Sequence, residues 1–149
     1  NIKDQTSIKR GVFVFPPPIM ISDALPTIID FARSVVENIA FGIYENYTAL
    51  EKFQIKDIYC AGGMSKSKEI LKVIADMLGT NLLVPEFRDS SFTGGAMNTL
   101  IALDYYQDYK SIVNELINFE GIVNNPAQKD KYQELYLQWK NIKSKIDSL

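Results

Sequence analysis

Two adjacent glycines, Gly62-Gly63, followed by Met64, Ser65 and Ser67, form the part of this chain whose residue types could do chemistry. A glycine carries no side chain, so another molecule can come close to its backbone, and a helix starting just after it aims unpaired N–H groups and a positive partial charge at the same place. Such a corner can support a nucleotide. It can equally be a tight strand-to-helix turn with no ligand, and an isolated glycine pair does not decide between the two. The spacing is neither GxGxxG nor GxxxxGK[ST], which removes the dinucleotide and P-loop readings.

The elements around the glycines follow from period. Ile55, Ile58, Tyr59, Cys60 and Ala61 predict a short strand covered on both faces, ended by the glycine pair. Ser65 is the expected N-cap of the next helix, with Glu69 as acidic charge in its first turn. Ile70, Leu71, Ile74, Met77 and Leu78 recur at helical spacing, and Gly79 is placed to close the helix in a left-handed conformation. A second strand, Leu82 to Val84, stops at Pro85, and a crossover helix between the strands predicts that they run parallel. A further helix opens near Gly95 and runs to about Tyr106. A short helix near Ser111 to Phe119 then leads to a loop at Gly121 to Pro126, and a terminal helix carries Tyr132, Leu135, Tyr136, Trp139, Ile142 and Ile146 on one face. Upstream, Gly11 to Phe15 reads as a strand ended by Pro16-Pro17-Pro18. Leu25 to about Lys52 reads as one long helix, with Pro26 in the first turn, Asp23 or Ser22 as cap, and an apolar stripe from Ile28 to Leu50 that should be core.

Composition bounds the function classes. With 149 residues and 46% apolar content the chain suits one domain, residues 1–149. Its 16 basic and 18 acidic residues are interspersed, which argues against nucleic acid and membrane surfaces as partners. The single cysteine, Cys60, falls in a predicted strand and reads as a small core residue, as expected of a reducing, cytoplasmic compartment. The first residues, NIKDQTSIKR, show no signal-peptide pattern and look cut from something longer. The chain contains no histidine, so Ser-His-Asp and Cys-His mechanisms are excluded and a metal would need oxygen ligands; no metal ligands and no catalytic residue are assigned. Phosphoryl transfer needs no histidine, since it works by positioning, Mg²⁺ and a carboxylate.

The order AGGMSKS, then IADMLG, then VPEF, then Gly95-Ala96 opening a helix resembles the C-terminal domain of the FGGY family of carbohydrate kinases. Upstream, ARSVVENIAFGIYENY is similar to the family's long helix, and NNPAQKDKYQELYLQWKNI is similar to its terminal helix. The resemblance implies an α/β fold: half of a ribonuclease-H-like (actin-like ATPase) domain, helix-strand-helix-strand-helix with extra C-terminal helices. On that basis residues 1–24 form an N-terminal strand and Pro-rich segment, 25–106 a nucleotide-binding core and 107–149 the C-terminal helices.

The resemblance further implies that this half holds the adenosine end of ATP. Gly62 and Gly63 match the family's paired glycines beside the nucleotide, Ser67 matches a polar position facing the adenine, and Met64 would flank the base as an apolar wall. Ser65 matches a family serine that the capping role explains equally well, and Asp76 matches a position taken as structural. ATP is the implied cofactor, with Mg²⁺ held mainly outside this chain. The partners that the resemblance implies are the remainder of the kinase with its N-terminal sugar-binding domain, the sugar or polyol substrate, and a second copy in a homodimer. Some departures leave a non-catalytic nucleotide-binding or regulatory module as the alternative: PPPIMISDALP replaces an arginine- and proline-containing segment, and Lys72 and Gly94-Gly95-Ala96 vary the pattern. Asp4-Gln5 echoes a catalytic aspartate-glutamine pair, but it lacks the preceding glycine and lies too close to the GVFVF strand to be one.

Overall fold

The computed structural model describes residues 26–147. The expectations for Gly11 to Phe15, the three prolines after it and Asp4-Gln5 lie outside those residues. Helix α1 spans Ile28–Thr48, and a capping box sets its start: the Thr27 hydroxyl accepts from the Asp30 N–H while the Asp30 carboxylate accepts from the Thr27 N–H. The cap is therefore Thr27 rather than Asp23 or Ser22, and Pro26 lies ahead of the helix instead of in its first turn. The helix also ends before Lys52, which falls in a separate 3₁₀ turn, Glu51–Phe53.

Residues 58–60 then run beside a later strand. Helix α2, Lys68–Leu78, closes on Gly79 at φ +65°, whose N–H returns to the Ala75 carbonyl as its sequence position predicts. Strand β1 is Leu82–Pro85, α3 is Ser90–Ala102, α4 is Tyr109–Leu116, β2 is Phe119–Ile122 and α5 is Pro126–Asp147. Helix α3 starts several residues before Gly95 because Asp89 caps it, accepting from the Phe92 N–H at 3.0 Å. Gly94 and Gly95 thus lie inside the helix.

Strand β1 is the centre of the pairing. On one side Cys60 N–H donates to Leu83 C=O and Leu83 N–H to Ile58 C=O, both at 2.8 Å, giving the expected parallel pairing at Tyr59. On the other side β2 runs antiparallel, with Leu82 opposite Ile122 and Pro85 opposite Phe119. The run from Ile55 to Ala61 is reduced to that single bridge, and it is not covered on both faces: Ile55 and Tyr59 are exposed, while Ile58 and Cys60 pack on the core. Strand β2 replaces the helix end expected at Phe119 and part of the loop expected from Gly121.

One face of the sheet builds the core. Leu82, Val84 and Ile122 point toward α2, whose Leu71, Ile74, Ala75, Met77 and Leu78 are buried between α1 and α5. Ala40 and Phe41 enter from α1, Tyr132 and Tyr136 from α5. The first half of the α1 stripe does not join them: Ile28 and Ile29 are 85% and 73% exposed, and Leu50 beyond the helix is exposed too, so the expectation of core holds from Ala40 to Tyr47. Helix α3 buries no residue, and Phe92 is 75% exposed. Apolar periodicity reports that a face wants cover; it does not say that the cover is in the same stretch of chain.

The terminal aromatic face is packing, as its spacing predicts. Tyr136 meets Tyr44 edge-on at 4.9 Å, and Trp139 lies 5.6 Å from Phe41 and donates Nε1–H to Asn38 at 2.8 Å. Trp139 is only half-buried. Trp139→Ala is therefore expected to cost about 2 kcal/mol, short of the roughly 3–5 kcal/mol of a fully buried aromatic. An unchanged thermal midpoint would show that this ring contributes no packing.

Candidate functional site

The glycine corner is a turn of 3₁₀ helix, Gly63–Lys66, between the Tyr59 bridge and α2. Gly62 enters it at φ +87°, a conformation that side chains rarely adopt, so its identity is explained by the backbone. Gly63 differs. Its φ is not positive, and a β-carbon added there would meet nothing within 4 Å. Neither the turn nor packing within the described residues requires glycine at 63.

The cap expected of Ser65 is supplied by Ser67 instead. Ser65 is buried and its Oγ–H donates to the Gly62 carbonyl at 2.7 Å, which closes the turn and leaves nothing to cap a helix. Ser67 is the N-cap of α2: extended at φ −98°, it accepts from the Ile70 N–H at 3.3 Å and donates to the Glu69 carboxylate at 2.8 Å. Met64 is 48% exposed on the turn. Gly62, Gly63, Met64 and Ser67 therefore share one short loop, with Gly63 and Met64 open to solvent and Ser67 turned to the helix end.

Glu69 brings a charge to that helix end. Its carboxylate is held below the usual range by a bond to its own backbone N–H and by the Ser67 hydroxyl. The N-terminus of α2 is thus already supplied with an anion.

Arg88, Asn118 and Glu120 also belong here, and spacing in the sequence did not point to them. With Val84, Pro85, Glu86 and Phe119 they line a cleft of about 290 Å³ at the carboxyl end of β1. In α/β sheets that end is where ligands are generally bound. Arg88 also reaches the glycine turn, since its carbonyl accepts from the Gly62 N–H at 2.8 Å and its Nη1 donates to the Ser65 carbonyl at 2.9 Å. Among the described residues no group of three or more acidic or thiol side chains is placed to hold a metal ion. No described helix is long and apolar enough to cross a membrane.

Residues 20–103 match the model of the C-terminal domain of the FGGY family of carbohydrate kinases. The chain belongs to that family. The glycine turn, Arg88 and α3 all lie within the matched stretch. Among FGGY relatives, the glycerol kinase of Borrelia hermsii is 25% identical over 111 residues, and that of Thermococcus kodakarensis is 28% identical over 110. These alignments cover 72% and 73% of this chain, which spans 22% of the length of each relative. The crystal structure of gluconate kinase from Lactobacillus acidophilus superposes with a TM-score of 0.67 at 23% identity, over 79% of this chain and 24% of that one. The α/β arrangement described above is thus the fold of one part of an FGGY kinase.

Proposed function

We propose that this chain is the C-terminal, adenosine-binding portion of an ATP-dependent kinase that transfers the γ-phosphate to a hydroxyl of a sugar or polyol. In this reading Gly62, Gly63, Met64 and Ser67 line the adenine-nucleotide pocket. The observation that carries it is Gly63: a residue with no side chain, free of backbone strain and open to solvent, in the loop where the family pattern puts a nucleotide. A β-carbon there would meet nothing within 4 Å, so the backbone has the open space that a nucleotide lying against it needs.

The electrostatics favour the nucleoside over the phosphates. A triphosphate at the start of α2 would meet the Glu69 carboxylate already bonded there, whereas an uncharged adenine or ribose would not. The phosphates then extend toward the rest of the kinase. For phosphoryl transfer, Mg²⁺ would supply neutralisation of the phosphate charge and a carboxylate would accept the hydroxyl proton. On the family resemblance, the ligands of that ion and the base belong mainly to the N-terminal portion. The uncovered apolar faces at Ile28, Ile29 and Phe92 are where that portion would find packing. The fold is read as half of a ribonuclease-H-like, actin-like domain completed by the same portion. The acceptor stays at the level of class, because the relatives include kinases of glycerol and of gluconate.

The 149-residue chain alone is expected to show no turnover in a coupled ADP-release assay with ATP and glycerol, gluconate or pentoses. The polypeptide joining it to its sugar-binding portion should turn over one of them. Phosphorylation by the isolated chain would overturn this division of labour, and a joined polypeptide that binds ATP without any turnover would favour the regulatory module.

A further inference from the structure

Arg88 makes more contacts to the glycine turn than its place in the β1–α3 connection requires. Its carbonyl takes the Gly62 N–H at one end of the turn, and its guanidinium holds the Ser65 carbonyl near the other. The same guanidinium points a second nitrogen at Glu120 on β2, 3.6 Å away, and Glu120 in turn pairs with Lys68 in the first turn of α2. Lys68, and after it Arg88, hold the Glu120 carboxyl below its usual range.

The turn has few other restraints. Gly62 and Gly63 contribute no side chains, and Met64 projects into solvent. The tethers across it are the Ser65 N–H and hydroxyl, both donating to the Gly62 carbonyl, the Ser67 N–H bond to the Met64 carbonyl and the Arg88 contacts. A planar guanidinium suits this position because its fork can serve a carbonyl and a carboxylate at once, which an ammonium on a flexible stem does less well.

We infer that Arg88, oriented by Glu120, is a positioning residue for nucleotide binding: it clamps the Gly62–Ser67 turn in the shape that accepts the adenosine. The inference rests on the reading of this turn as the nucleotide site. Binding to a loop already held in its bound shape avoids the ordering cost, so releasing the clamp should weaken the nucleotide without touching the acceptor.

The test uses the kinase polypeptide that carries this chain, with ADP binding by calorimetry and steady-state kinetics for ATP and acceptor. Arg88→Met should raise the ADP Kd and the ATP KM about tenfold while kcat and the acceptor KM stay within about twofold. Glu120→Gln should raise both nucleotide constants about threefold, and Arg88→Lys should fall between Arg88→Met and the unsubstituted protein. A purely structural arginine would instead lower the melting temperature and move kcat and both KM values together, which would overturn the inference. Gly63→Val separates the two levels. If it abolishes ADP binding while Arg88→Met leaves the ADP Kd unchanged, the clamp is wrong and the site stands. If neither change affects ADP, the nucleotide reading fails and the clamp falls with it. Should Arg88→Met not fold, Arg88→Lys and Glu120→Gln decide by the same criteria.

Discussion

Replacing Asp76 by alanine is expected to destabilise this fold by about 3 kcal/mol, the largest loss from any single polar side chain in it. Asp76 is 7% exposed, and its Oδ1 accepts from the Asn125 N–H at 2.6 Å and from Lys72 Nζ at 2.9 Å. The amide belongs to the residue just before α5, so one carboxylate fixes where the terminal helix leaves β2 and docks on α2. Alanine would orphan that N–H. Lys72 would keep a partner, since it also donates to the Val123 carbonyl at 2.8 Å. Asp76→Asn retains an oxygen acceptor and should lose only about 1 kcal/mol. Urea unfolding of both variants checks the ranking; equal midpoints for alanine and the unsubstituted protein would mean that α5 is placed by its aromatic face alone.

The structural role of Asp76 was read from its match to a family position, whereas the groups that explain it, the Asn125 N–H and the Lys72 ammonium, come together only in the fold. Helix α2 and the Gly79 cap were legible from the residues themselves, because period and left-handed backbone are local properties. Strand β2 was not. Phe119-Glu120-Gly121-Ile122 has no strand pattern of its own, and it becomes one by pairing with β1 some 35 residues earlier, as Leu82 and Val84 bury themselves. The passing of the cap from Ser65 to Ser67 turned on the Gly62 carbonyl, which only a folded turn presents. Arg88 stayed hidden for the same reason, because its partners come from two distant segments, the glycine turn and β2.

Gly63→Val is expected to weaken ATP binding about tenfold or more while leaving the fold intact, the largest functional effect of any substitution in the turn. Its β-carbon would enter space that is open in this chain, at a φ that is not positive, so a loss of affinity with the fold intact reports a collision with the ligand. Gly62→Ala is the contrast. Its φ of +87° would strain an alanine, so stability should fall by about 1–2 kcal/mol and affinity with it. Only Gly63 separates site from scaffold.

The most direct measurement is photolabelling of the kinase polypeptide that carries this chain with an azidoadenine analogue of ATP, followed by peptide mapping. The base should label the peptide containing Gly62, Gly63, Met64 and Ser67, and excess ATP should abolish that label. ATP-sensitive label confined to other peptides, with none on this turn, would contradict the assignment of the adenosine site to it.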